Sequence, residues 1–165
     1  MYQLSPHLLW IGHAGDGRDS RRLFDCGIRA VVQLAVEEPP LQPPRELVYL
    51  RFPLRDESDN SEAVLALAVR ALASLVRDQV PTLVCCGAGM SRSPVVAAAV
   101  LALITGEPAD EVLKRVLTGR PGDVSPGLWD QLNSWMVGAR DERGCGRAEP
   151  GKRGPEVAGR RGDTG

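Results

Sequence analysis

The sequence predicts a single α/β domain with a mostly parallel central sheet flanked by helices. Two observations carry that expectation. Strand-like and helix-like segments alternate along the chain, a pattern that builds a sheet with crossover helices on its faces. The strand-like segments are also nearly continuous in apolar character, as in Ile28 to Leu34 (IRAVVQL), and a strand covered on both faces has no polar side to show. At 165 residues the chain holds one domain and little more.

Leu8 to Ile11 is a short extended run ended by Gly12. Asp19 or Ser20 then caps a helix through Leu23 and Phe24 to Cys26, stopped by Gly27. After the strand at Ile28 to Leu34, four prolines in EEPPLQPPRE exclude helix and inner strand. Glu46 to Phe52 returns to the strand pattern. Between Ser61 and Asp78, residues Val64, Leu67, Ala68, Ala71, Leu72, Leu75 and Val76 fall at the three-and-four spacing of one helix face. Pro81 to Cys85 reads as a short buried strand, and SPVVAAAVLALITG as a buried helix with Pro94 near its start and Gly106 as its stop. Two further helices are expected, from about Pro108 to Leu117 and from Ser125 onward, the second with Leu128, Leu132, Trp135 and Met136 on one side.

Hydrophobic residues are 43% and charged residues 25%, which excludes disorder of the whole chain. No apolar run approaches the ~20 residues of a membrane span, and the first residues lack a basic, long-apolar leader pattern. A cytoplasmic protein is expected. The net charge of -1 argues against nucleic-acid or membrane-surface partners. Residues 1–138 are read as the folded body. Residues 139–165 are read as a Gly/Arg-rich tail that does not fold. Four cysteines and two histidines form no disulfide framework and no metal set, so neither metal nor cofactor is expected. A monomer is the favoured state.

The informative stretch is Cys86-Gly87-Ala88-Gly89-Met90-Ser91-Arg92-Ser93-Pro94, lying between a buried strand and a buried helix. A glycine-rich strand-to-helix turn can aim successive backbone N–H groups, with the positive helix end, at a tetrahedral anion. Amides of Gly87, Ala88, Gly89, Met90, Ser91 and Arg92 are the expected phosphate cradle. Cys86 stands at its base, where the surroundings favour the thiolate that attacks, making it the candidate nucleophile. Arg92 can return over the loop and present its planar fork to two phosphoryl oxygens. Ser93 can donate to the cysteine sulfur and make it a better leaving group.

This stretch resembles the signature of the cysteine-dependent protein tyrosine phosphatase superfamily, HCxxGxxR followed by Ser or Thr. AGMSRSP is similar to the AGxSRSP form of its small dual-specificity members. The resemblance spans roughly residues 4 to 137. It implies a dual-specificity phosphatase-like fold, a phosphocysteine intermediate, and a phosphorylated protein or small phosphoester as substrate. In that family the general acid is an Asp about 30 residues before the cysteine, which implies Asp56, with Asp59 in reserve and Glu57 behind it. Two departures stand out. Cys85 replaces the usual His, which raises a vicinal disulfide with Cys86 as an alternative to a buried, inert thiol. Ser125 replaces an Asn that braces the phosphate loop, so the brace is made by a hydroxyl or is absent, and a simple helix cap is an equal reading.

Arg51 and Arg55 flank the acid loop, as steering cations or as a solvated pair. His7 and His13 are read as surface or turn residues. Neutral Ala88, Gly89, Met90 and Ser91 favour a phosphoprotein over a phosphoinositide. Two other classes of function keep the same residues: a phosphate-binding module with little turnover, and a sulfur-transfer or arsenate-reducing enzyme.

Overall fold

Where β-branched and aliphatic residues run together the chain extends, and the computed structural model, which describes residues 1–57, 59–120 and 122–144, gathers these runs into one five-stranded sheet. In chain order the elements are β1 (Tyr2–Gln3), β2 (Leu9–His13), α1 (Ala14–Arg18), α2 (Ser20–Asp25), β3 (Ala30–Ala35), β4 (Val48–Leu54), α3 (Glu62–Arg77), β5 (Thr82–Cys86), α4 (Arg92–Thr105), α5 (Ala109–Leu117) and α6 (Pro126–Gly144). The strand order is β1-β2-β5-β3-β4. β2, β5, β3 and β4 are parallel, and β1 joins the β2 edge antiparallel. The expected α/β architecture is what the chain adopts. β3 and β5, flanked by strands on both sides, are buried at every residue.

Because successive strand residues point to opposite faces, the sheet carries two cores. The larger includes Val84, Cys86, Leu65, Val69, Leu72 and Leu128, and takes in α3, α4, α5 and α6. The smaller holds Leu23, Ile28, Val31, Leu41, Leu47, Leu83 and Cys85. α4 is buried continuously from Arg92 to Ala102, as a helix apolar all round must be. Gly106, at φ 78°, ends it in the left-handed conformation that glycine adopts without penalty.

Four features differ from the sequence reading. β1 is too short to show a period. α1 escaped because two glycines in five residues look like a turn, yet His13 caps it by accepting from the N–H groups of Gly15 and Asp16. Leu67 is 56% exposed and the inward face of α3 centres on Leu65, Val69, Leu72 and Val76; α3 is so rich in Ala, Leu and Val that its apolar stripe is wider than the face it buries. α6 passes Gly138 and runs to Gly144, since Ala139, Arg140, Glu142 and Arg143 are strong helix formers even without an apolar stripe. The remainder of the expected tail, with Cys145, lies outside the described residues. No helix among the described residues is long and apolar enough to cross a membrane.

Candidate active site

Between the end of β5 at Cys86 and the start of α4 at Arg92 lie only Gly87 to Ser91. The loop is built against the end of β2. His13 is the register partner of Cys86, and the Ala14 N–H donates to the Gly87 carbonyl at 3.1 Å. Gly89 has φ +75°, and a Cβ there would stand 2.8 Å from the Gly12 carbonyl oxygen. Only glycine fits this turn without moving backbone. Ser91 occupies the N-cap position of α4 but gives it no side-chain cap, so the positive end of the helix, a natural seat for an anion, keeps its first-turn amides facing the loop side.

Arg92, 5% exposed, lies beneath the loop rather than in solvent. Its Nη1 donates to Glu37 Oε2 at 2.6 Å and to the Leu54 carbonyl at 3.1 Å, and its Nη2 donates to Glu37 Oε1. Burial works against the guanidinium charge, but the Glu37 carboxylate more than offsets it and raises the Arg92 pKa. The same fork holds the Glu37 carboxyl below its ordinary range. Glu37 reaches this place from the proline-rich segment. That segment is clipped by the buried Gln33, whose Nε2 donates to the Pro39 carbonyl at 2.9 Å and whose Oε1 accepts from the Leu41 N–H and the Tyr49 hydroxyl. Six and seven positions after Cys86, the buried Arg92 Nε and Ser93 Oγ have no hydrogen-bond partner, a state shared among the described residues by Arg51 Nε and Gln131 Oε1. Buried donors are ordinarily satisfied, so this pair points to a ligand with acceptor atoms.

Asp56, on the loop after β4, meets the Gly87–Ser91 loop through Ser91: the Ser91 hydroxyl donates to Asp56 Oδ1 at 2.5 Å. The Ser125 backbone N–H donates to the same Ser91 oxygen at 3.1 Å, and the Asp123 N–H donates to the Met90 carbonyl at 3.1 Å. Beside the loop, a cavity of about 190 Å³ is lined by Tyr2, His13, Ala88, Gly89, Met90 and Arg120 among others. The Arg120 guanidinium stacks over the Tyr2 ring, 3.3 Å from its centroid.

The family model for Tc-R-P, a polymorphic toxin system DSP-PTPase phosphatase, matches residues 13–107, more than half of the chain. The chain belongs to the DSP-PTPase phosphatase family. Among solved structures, human DUSP28 aligns at 26% identity over 82% of this chain and 95% of its own, with a TM-score of 0.72. A mouse protein described as a dual specificity phosphatase complexed with zinc tungstate aligns at 25% identity over 90% of this chain and 98% of its own, TM-score 0.72. No curated protein matches the chain by sequence.

Within this DSP-PTPase fold the structure brings Cys86, the Gly87 to Ser91 loop, Arg92, Ser93 and Asp56 into one place. Asp59 is instead paired with Arg55 at 2.9 Å on the exposed side of the loop, and Arg51 donates to the Val36 and Glu38 carbonyls, a structural post. His13 is a surface turn residue as expected, the exposed N-cap of α1, and β2 also carries it to the rim of the loop. The brace expected at Ser125 exists, but the backbone makes it. The Ser125 hydroxyl caps α6 by accepting from the Leu128 N–H at 3.4 Å.

Cys85 and Cys86 belong to the two opposite cores. A disulfide between them would pull one thiol through a strand that pairs on both sides. Burial, with the neighbouring Cys86 second, pushes the Cys85 thiol up to about 12, so it stays protonated and unreactive at neutral pH. Inactivation by mild peroxide is therefore expected to follow the same time course in Cys85→Ala as in the parent. A slower loss or a changed recovery with thiol reductant would restore Cys85 as a redox partner.

Glu37, Gln33 and the Ser91 hydroxyl are the residues that sequence reasoning did not single out. The carboxylate pair Glu37-Glu38 at the head of the proline-rich segment was the available signal.

Proposed function

We propose that the protein hydrolyses phosphomonoesters through a phosphocysteine on Cys86, with phosphorylated proteins of a reducing, cytoplasmic compartment as its substrates. The observation that carries this reading is the buried, unpartnered pair Arg92 Nε and Ser93 Oγ on the residues that follow the loop. A phosphoryl oxygen satisfies the first, and the second, unpartnered at rest, is available to donate to the Cys86 sulfur as it departs as thiolate. The amides of Gly87 to Arg92 hold the remaining oxygens. The thiolate attacks phosphorus in line, the S–P bond forms as the P–O bond breaks, and the Asp56 proton passes to the departing oxygen. Water then attacks the phosphocysteine, giving its proton to Asp56, while Ser93 stabilises the departing thiolate. The neutral side chains of Ala88 and Met90 and the exposed rim around Tyr2 and Arg120 suit a phosphorylated side chain presented on a protein surface.

The test is hydrolysis of a series of aryl phosphates by the parent and by Asp56→Asn. Loss of a general acid is worth about 10²- to 10⁴-fold, and this loss is expected with phenyl phosphate, shrinking to about tenfold or less with p-nitrophenyl phosphate, whose phenoxide leaves unaided. Absence of turnover by the parent would leave a phosphate-binding module. A uniform loss across the series would remove Asp56 as the acid.

A further inference from the structure

Resting on the phosphatase reading, we infer that the Ser91 hydroxyl is the positioning residue that aims the acid Asp56, and that α6 is the frame that holds both. A hydroxyl has one proton to donate. The Ser125 N–H donates to Ser91 Oγ at 3.1 Å, which fixes Ser91 as acceptor on that side and directs its own proton to Asp56 Oδ1, 2.5 Å away. With Oδ1 held in this way, the catalytic proton is carried on Oδ2. Ser91 is 5% exposed, so its hydroxyl has little water to turn to instead.

The other end of the acid loop is tied to the same helix. The Asn60 side chain accepts from the Arg55 N–H at 2.7 Å and donates to the Arg55 and Glu57 carbonyls at 3.1 and 2.8 Å, closing the loop around Asp56. Gln131 of α6 then donates through Nε2 to the Asn60 carbonyl at 2.6 Å. Ser125, just before α6, thus grips the phosphate loop through Ser91, and Gln131, more than one turn further on, grips the acid loop through Asn60. When the Asp56 proton moves to the leaving oxygen as P–O breaks and S–P forms, Asp56 becomes a carboxylate. The Ser91 bond is then charge-assisted and stronger than before, so it favours the transition state over the bound ester.

The experiment is a double-mutant cycle with Ser91→Ala and Asp56→Asn, read across the aryl phosphate series, with inhibition by inorganic phosphate measured in parallel. Ser91→Ala is expected to lower kcat about tenfold for phenyl phosphate and no more than about twofold for p-nitrophenyl phosphate, as for a partial loss of general-acid catalysis. In the Asp56→Asn background it should add nothing, since the two act as one unit. The phosphate inhibition constant should hold, because residue 91 keeps its amide. Asn60→Ala, a change outside the phosphate loop, should show the same leaving-group signature and the same absorption by Asp56→Asn. An equal fall on every ester, or a fall that adds to that of Asp56→Asn in both variants, would overturn the proposal while leaving the phosphocysteine reading intact. A parent without turnover would overturn both.

Discussion

Cys86→Ser is expected to lower hydrolysis of p-nitrophenyl phosphate by at least about 10³-fold, the scale on which loss of a nucleophile acts. The substitution keeps the size of the side chain and the backbone loop, and Cys86 is already buried at the end of β5, so fold and phosphate affinity should survive. What changes is the reacting atom. A serine hydroxyl is essentially un-ionised at neutral pH, and the site provides no base positioned to activate it: Asp56 is committed to the leaving group, and His13 uses Nδ1 to cap α1. Steady-state assays with inhibition by inorganic phosphate check both halves. A variant that binds phosphate as the parent does but no longer turns over is the expected outcome; one as active as the parent would end covalent catalysis at this residue.

Arg92→Lys should cost about 10²- to 10³-fold in kcat, the range for removing one preorganised donor from a developing charge. The geometry says why a retained positive charge is not enough. Arg92 serves two masters at once, with Nη1 and Nη2 spent on Glu37 and the Leu54 carbonyl and Nε left for a phosphoryl oxygen. A lysine ammonium is a point donor and cannot hold the Glu37 loop while reaching the phosphate. Glu37→Gln separates the two duties. It keeps an acceptor for the fork but removes the charge, so it should disturb turnover far less than Arg92→Lys. Equal losses in the two variants would mean that Arg92 matters for holding the loop and not for holding the phosphate.

The parts of this protein that were legible in the sequence are those in which function and local structure share the same residues. Cys86, Gly89, Arg92 and Ser93 lie within eight positions, and the strand before them and the helix after them announce themselves by apolar runs. Asp56 came from the resemblance, which implies an Asp about 30 residues before the cysteine and after a strand, and the structure sets it against Ser91. Glu37 was not legible, because it meets Arg92 from 55 positions away, along a proline-rich path whose course depends on Gln33 and Tyr49. Cys85 shows the converse. Adjacency in sequence left a redox pair open beside a buried, inert thiol, and strand pleating favours the inert thiol by sending the two sulfurs into different cores. At Ser125 the helix-cap reading of the hydroxyl holds, while the contact to the loop is made by a backbone N–H, which has no signature in residue type.

The central claim is that phosphate passes through the sulfur of Cys86, and the direct measurement is to catch it there. Ser93→Ala should slow departure of the thiolate more than its attack, so rapid mixing with excess p-nitrophenyl phosphate should give a burst of p-nitrophenol approaching one equivalent per chain. Mass spectrometry of the quenched protein should then find one phosphoryl group on the peptide that contains Cys86. A linear release with no modified peptide, or a phosphoryl group on any other residue, would contradict the account.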